Sequence, residues 1–242
     1  MNNEVISKKV LAIIPARSGS KRIKNKNIKD FFGKPFIYYA IQIAKKSGIF
    51  DDIVVSTDSK KIIKISNKYG AETPFVRSKK LSDDYSDTIS VIRDCITNLE
   101  KENRVYKYVC CIYPTNPFLE KDNLIKAYKI LKSKKNIRYI FTAVKYAHPI
   151  ERSFKLKKNK VNINIKKNFK MRTQDIDESY HDGAQFYFAK VQDWKKRKKI
   201  FSSQSYAIIL SELKSHDIDN PIDIKLAKLK YKLIKNLLSK LL

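Results

Sequence analysis

Glycine is scarce in this sequence, with five residues in 242. Neither G-x-x-x-x-G-K-[ST] nor G-x-G-x-x-G occurs, so neither a P-loop ATPase nor a glycine-fingerprint dehydrogenase is supported. Cysteine is rarer still. Cys95, Cys110 and Cys111 are odd in number and lack metal-ligand spacing, which fits reduced core residues of a cytosolic protein rather than a disulfide framework. On a strand, Cys110 and Cys111 would point to opposite faces and make poor mutual partners. Long apolar runs are missing too. No window resembles a membrane span, and Met1-Asn2-Asn3-Glu4 does not begin a signal peptide, so the expected location is cytoplasmic with no membrane partner. Arginine supplies only nine of the 52 basic residues behind a net charge of +28. The remaining lysines are spread through helices and loops beside abundant Ile and Asn, as when an A/T-rich genome fills exposed positions. No helix-turn-helix, zinc-finger or aromatic-basic motif accompanies them, so no nucleic-acid partner is expected. A non-catalytic polyanion-binding protein is the rival of a different class. The positive field would in either case concentrate nucleoside triphosphates and acidic sugars.

What is present is organised around Val10 to Asn27, VLAIIPARSGSKRIKNKN. The apolar run Val10–Ile14 ends at Pro15, which fixes φ and lacks an N–H. The loop beyond it carries Gly19, Ser18 and Ser20, and the cations Arg17, Lys21, Arg22, Lys24 and Lys26. A buried strand opening into a small, cation-dense loop suits a polyphosphate; a solvated basic turn is the plain alternative.

Downstream the pattern alternates. A helix with Phe36, Ala40, Ile43 and Ala44 on one face closes near Gly48. Ile53-Val54-Val55 reads as a strand, and Asp58 or Ser59 as the cap of a helix ending at Gly70. A short strand is expected near Phe75-Val76, an amphipathic helix over 86–101, and a strand over Tyr108–Ile112. A helix over Lys121–Ser133 and a strand over Tyr139–Val144 follow. Such βαβ repetition predicts a three-layer α/β domain with buried parallel strands. The loops after Ile14, Val55, Ile112 and Val144 should then share one edge. From His148 to about Arg172 apolar residues alternate with polar ones (Phe154 and Leu156; Val161, Ile163 and Ile165), predicting an inserted antiparallel hairpin that either packs on a second subunit or stands as a free arm. Strands over Ala184–Phe188 and Ala207–Leu210 precede a closing helix from Pro221. The chain is expected to form a single domain over 8–242, with 148–180 as the inserted region. Asp217 and Asp219, two apart on an extended segment, would face one side and suit Mg²⁺, although sequence alone favours Asp219 as the cap of the closing helix. Asp223 reads as a first-turn acid stabilising that helix.

Pro15-Ala16-Arg17, Ser20-Lys21 and Lys26-Asn27 resemble the signature of cytidylyltransferases that activate nine-carbon acidic sugars. The likeness continues through Ser56-Thr57-Asp58, Arg77 with Leu81-Ser82-Asp83, Pro114-Thr115-Asn116-Pro117, His181-Asp182-Gly183-Ala184 and Asp217-Ile218-Asp219. It implies a Rossmann-like nucleotidyltransferase fold, a homodimer formed through the hairpin, CTP and a nonulosonic acid as substrates, and Mg²⁺ as cofactor. Arg17, Lys21 and Asp217 would then be catalytic. Ser20, Lys26, Asn27 and Arg77, with Arg17 and Lys21, would bind nucleotide, and Asp217 and Asp219 the metal. Arg22 and Lys24 are expected to be solvated. Tyr113 and Gln185 become sugar-pocket candidates, and His181 either a sugar-site base or a structural group. Tyr113-Pro114-Thr115-Asn116-Pro117 and Asp182-Gly183-Ala184 look like the pseudaminate branch of that family. The sialate and legionaminate branches are its near rivals. Ser18 and Lys24 depart from that branch, where Gly and Pro are common, without removing a matched cation.

Overall fold

A computed structural model describes residues 9–164, 169–196 and 198–239. Its centre is a six-stranded sheet ordered β10-β6-β9-β5-β1-β4, with β1 at Val10–Pro15, β4 at Asp52–Ser56, β5 at Tyr108–Ile112, β6 at Tyr139–Lys145, β9 at Tyr180–Lys190 and β10 at Ser205–Leu210. Two short strands, β2 (Asp30–Phe31) and β3 (Lys34–Pro35), form a separate ribbon, and so do β7 (Phe154–Lys157) and β8 (Lys160–Ile163).

Alternation along the strands builds two cores. Val10, Ala12 and Ile14 face one side, with Ile37, Ala40, Ile41 and Ala44 of α1 (Phe36–Ser47), Ile62 of α2 (Lys60–Lys68) and Leu124, Ala127 and Leu131 of α4 (Lys121–Ser133). Leu11 and Ile13 face the other, with Ile92, Cys95, Ile96 and Leu99 of α3 (Thr88–Lys101) and Trp194 of α5 (Val191–Lys195). Cys110 and Cys111 divide between these two cores, and all three cysteines are free and fully buried. This is the three-layer arrangement expected, since a strand covered on both faces has no need of polar alternation. Gly48, at φ 65°, ends α1 in the left-handed conformation that glycine adopts without a Cβ clash.

The sheet is not wholly parallel. β1 pairs in parallel with β4 and β5, and β10 with β6, but β9 runs antiparallel to both β5 and β6. The cause is the excursion after β6. Among its described residues it contains the hairpin but no crossover helix, so the chain re-enters the sheet from the edge it left. Ile165, the last apolar position expected of that hairpin, lies outside the described residues. The strand expected near Phe75-Val76 is reduced to isolated bridges, Val54 with Glu72 and Thr57 with Val76. The anticipated common edge is present: the carboxyl ends of β1, β4, β5, β6 and β10 lie together, joined by the amino end of β9.

β9 is distorted there. Phe141 pairs with Tyr187 and Ala143 with Asp182, so four residues, 183–186, stand opposite Thr142. Asp182 ties off this bulge. Its Oδ1 accepts from Ala184 N at 3.0 Å, and its Oδ2 accepts the Tyr187 hydroxyl. Gly183 lies so close to β6 that a Cβ would sit 2.8 Å from Thr142 Oγ1 and 3.1 Å from the Thr142 carbonyl carbon. Gly183→Ala should therefore cost about 1–3 kcal/mol by overpacking. Urea denaturation checks this, and an unchanged midpoint would show that the bulge can shift away from Thr142.

Candidate active site

A third apolar cluster sits below the sheet edge and joins distant segments. Ile23, Phe31, Phe36, Phe118, Ile218, Ile224 and Ala227 are buried in it, with Tyr39, Tyr231 and Ile234 packed alongside. Ile23 belongs to the loop after β1. Ile218 precedes α6 (Pro221–Ser239). Burying both draws their polar neighbours together. Arg22 NH2 stands 2.7 Å from Asp219 Oδ1, and Lys26 Nζ donates to Ile218 O at 2.5 Å and lies 3.7 Å from Asp219 Oδ1.

The resulting cleft, about 540 Å³, is lined by Arg17, Ser20, Lys21, Arg22, Lys26 and Asn27 from the first loop. Arg77, Asp83, Asp84 and Thr88 come from the segment after β4, Tyr113 and Thr115 from that after β5, and Asp219 from that before α6. Acids hold the cations in place. Arg17 NH1 bonds Asp83 O and Asp84 Oδ1, each at 2.6 Å, and Lys21 Nζ lies 2.5 Å from Asp84 Oδ2. The Lys21 and Arg17 bonds keep the Asp84 carboxyl below its ordinary range. Asn27 is buried and donates its amide to Arg17 O at 2.9 Å. Arg77 is buried as well, with neither Nε nor one of its terminal nitrogens hydrogen-bonded. Burial lowers its pKa, a direction that the nearby Asp58 opposes.

A cavity of about 260 Å³ adjoins this cleft and shares Lys26, Tyr113 and Thr115 with it. Its other lining residues include Asn116, Asp182, Tyr187, His216 and Asp217. The Tyr113 hydroxyl lies 3.0 Å from Thr88 Oγ1, and burial pushes its pKa up to about 12, so it is a neutral hydroxyl. A further cavity of about 370 Å³ is lined by His181, His216, Asp217 and Lys230 among others. His181 is exposed there, its ring against Tyr146.

The structure thus brings Arg17, Ser20, Lys21, Lys26, Asn27, Arg77, Tyr113 and Asp219 to one cleft. Asp217 and Asp219 flank buried Ile218, as alternation requires, but line different cavities on either side of Lys26. Gln185 reaches none of the cavities described. Its side chain is buried within the bulge and donates from Nε2 to Lys214 O at 2.8 Å. Lys24 and Arg22 are both exposed, as expected, but Arg22 also lines the cleft; only its pairing with Asp219, far off in sequence, distinguishes the two. Capping of α6 falls to Asp223, whose Oδ2 accepts from Asn220 N at 2.6 Å and Asp219 N at 2.8 Å, leaving the Asp219 carboxylate to the cleft. Asp84 gave no local pattern beyond a turn. Asp58 was legible as a cap candidate and as part of Ser56-Thr57-Asp58, not as the holder of the first loop.

Asp58 holds the first loop. Its carboxylate accepts from Ser18 N at 2.8 Å and Ser18 Oγ at 2.6 Å, while Ser59 takes over the cap of α2. Burial alone would raise the Asp58 pKa, but the two Ser18 bonds outweigh it and hold the value below 3.8. A depressed carboxyl pKa contributes stability that is complete above the unfolded value and lost as pH falls through the folded one. Asp58→Asn should therefore flatten the acid limb of a Tm–pH profile below 3.8 and loosen the first loop, seen as faster backbone amide exchange in 17–22. An unaltered acid limb would refute the clamp.

The cytidylyltransferase family model matches residues 11–238. Among similar proteins, a pseudaminic acid cytidylyltransferase of Campylobacter jejuni is 44% identical, over 93% of this chain and 97% of that one. A CMP-N,N'-diacetyllegionaminic acid synthase of Legionella pneumophila is 30% identical, over 89% of this chain and 93% of that one. The fold matches CMP:2-keto-3-deoxy-manno-octonic acid synthetase, solved in complex with CTP, with a TM-score of 0.68 at 14% identity, covering 94% of this chain and 99% of that one. The family model spans both the cationic loop and the segment bearing Asp219, so the two halves of the cleft fall within one match: the chain belongs to the cytidylyltransferase family.

Proposed function

We propose that the chain transfers CMP from CTP to the anomeric hydroxyl of pseudaminic acid. The hydroxyl oxygen bonds the α-phosphorus, the α–β anhydride bond breaks, and pyrophosphate leaves. The observation that carries this reading is the convergence of Arg17, Lys21, Lys26 and Asp219 on one cleft. Such a displacement depends on in-line positioning and charge neutralisation more than on covalent catalysis. Arg17 and Lys21 exchange Asp84 for phosphate oxygens. Ser20, Lys26 and Asn27 complete the phosphate mouth, and the unbonded donors of Arg77 await a nucleotide acceptor. The sugar enters beside Tyr113, in the cavity bounded by Asp182 and Asp217, with His181 at its outer side and Gln185 supporting the bulge from beneath. The 44% identity to the Campylobacter protein favours pseudaminate over legionaminate or sialate.

Mg²⁺ is the proposed cofactor. No group of three or more His, Cys, Asp or Glu side chains is arranged for a metal among the described residues. Mg²⁺ does not require one, since it is commonly held by one or two carboxylates together with substrate phosphates and water. The hard oxygens of Asp219, in the cleft proposed for the phosphates, fit that donor set and would hold it, and Asp217, across Lys26 in the adjoining cavity, would contribute from the sugar's side; when bound it neutralises charge on the phosphates.

The region 148–180 is proposed as a dimerising insert of the single domain 8–242. The β7–β8 ribbon exposes Phe154, Leu156 and Val161, and an isolated two-stranded ribbon is marginal in water unless covered. Free, buried cysteines suit the reducing cytoplasm, the proposed compartment.

Pyrophosphate release from CTP, measured with each nonulosonic acid in turn, tests the substrate. Pseudaminic acid should be turned over fastest; equal or better turnover of N-acetylneuraminic or N,N'-diacetyllegionaminic acid would overturn the choice. Asp219→Asn should lower kcat by about 10²–10³-fold, the scale of losing one electrostatic stabiliser, with its melting temperature nearly unchanged because Asp223 caps α6. Near-normal turnover would remove Asp219 from the reaction.

A further inference from the structure

Helix α6 carries two apolar stripes. Ile224 and Ala227 are buried, with Tyr231 and Ile234 packed beside them. Ile222, Leu226, Leu229, Leu233 and Leu237 make up a second stripe and are 54, 44, 63, 47 and 47% exposed. Steps of three and four residues keep this row on one side of the helix, roughly opposite the buried stripe, over about 22 Å. Single exposed leucines need no explanation, but an aligned row of five large aliphatics marks an interaction surface.

The charges beside the row indicate what covers it. Lys225, Lys228, Lys232 and Lys235 follow one flank, and Asp223 is the only acid in the helix. The Asp223 carboxylate is already committed to backbone N–H groups. Lys230 is taken up by Glu212 O and Ser215 O, at 3.0 and 3.1 Å, and fixes the helix to the body of the protein. A second copy docked through the same row would set lysine against lysine with no free acid between them. A protein partner fits poorly as well, because interface cores are depleted in Lys, and Leu is under-represented among hot spots. An anionic bilayer satisfies both features. Aliphatic side chains enter the boundary between headgroups and acyl chains, and lysine stems extend along it to place their ammonium groups at the phosphates.

We propose that α6 is a membrane-surface helix that lays its exposed row on an anionic phospholipid bilayer. The observation behind it is the five-residue aliphatic row with its lysine flank on a helix already anchored by its opposite face. The +28 charge of the chain draws it to such a surface. The helix lies on the bilayer and does not cross it, since no helix is long and apolar enough to span a membrane among the described residues. The expectation of no membrane partner rested on the lack of a span and does not address a helix that lies flat. The inference is independent of which sugar the cleft accepts.

Co-sedimentation of the full chain with phosphatidylglycerol–phosphatidylcholine vesicles and with phosphatidylcholine vesicles, at physiological ionic strength, tests it. Binding should require the anionic lipid. Replacing Leu226, Leu229 and Leu233 together by Ser keeps every charge and should weaken binding at least about tenfold, with pyrophosphate release in lipid-free solution unchanged. Leu229→Trp should show a blue-shifted emission on the anionic vesicles; Trp194, the one native tryptophan, is fully buried and gives a constant background. The proposal is overturned if the triple variant binds as tightly as the parent, which would leave only general charge attraction. It is equally overturned if the parent binds neither vesicle, binds both alike, or if the triple substitution changes the oligomeric state and not vesicle binding.

Discussion

The site depends on an apolar contact rather than on a charged one. Ile23 and Ile218 share one cluster although they lie near opposite ends of the chain. Each is flanked by groups that could not meet otherwise: Arg22 beside Ile23, and Asp217 and Asp219 on either side of Ile218. Burying a side chain of that size stabilises by about 1.5–3 kcal/mol, more than an exposed ion pair usually contributes. Arg22 is largely exposed and Asp219 is one-third exposed, so their 2.7 Å contact reports the alignment more than it enforces it. α6 closes the arrangement, because Ile224 and Ala227 of its buried stripe enter the same cluster.

Charge sets the second constraint. Arg17, Lys21, Arg22 and Lys26 crowd one loop in a chain with few acids, and like charges at that density repel. Carboxylates from three separate segments counter them: Asp58 through Ser18, Asp84 through Arg17 and Lys21, and Asp219 through Arg22 and Lys26. Under the proposed function the triphosphate takes over the part of Asp84 at Arg17 and Lys21. That exchange suits a modest affinity. A carboxylate that already bonds both cations subtracts its own interaction from whatever the phosphate gains.

The fold was largely legible because its signals are local. Apolar runs marked β1, β4 and β5, three-and-four spacing marked α3, and Pro35, Gly48 and Gly70 bracketed helices as backbone chemistry demands. What escaped was set by pairing between distant segments. The orientation of β9 follows from where the excursion after β6 rejoins the sheet, and no window of β9 records that. The same holds for side chains. Arg22 and Lys24 are indistinguishable in sequence and part only through Asp219. Gln185 looked like a pocket residue because it follows Asp182-Gly183-Ala184, but the bulge turns it inward to Lys214 O. Asp219 could be read as a cap until Asp223, four residues on, was seen to reach back.

The two halves of the cleft are built on different principles. The cationic half rests on β1, β4 and β5, parallel strands in regular register, where loops after strand ends gather without special residues. The half assigned to the sugar rests on β9, and its shape comes from one irregularity: four residues against Thr142, knotted by the Asp182 bonds to Ala184 N and to the Tyr187 hydroxyl. Ala184 takes φ 48° within it, and Gly183 has no room for a side chain. The irregularity lies on the β6 side, since on the β5 side Phe186 still pairs with Ile112 and Gln185 O accepts from Tyr113 N. Under the proposed function, placing the sugar cavity on the irregular strand and the phosphate mouth on the regular ones would let one scaffold keep its nucleotide chemistry while its acceptor changes. Tyr113, Asn116 and Asp182, from the two segments that resemble the pseudaminate branch, line the cavity beside that bulge.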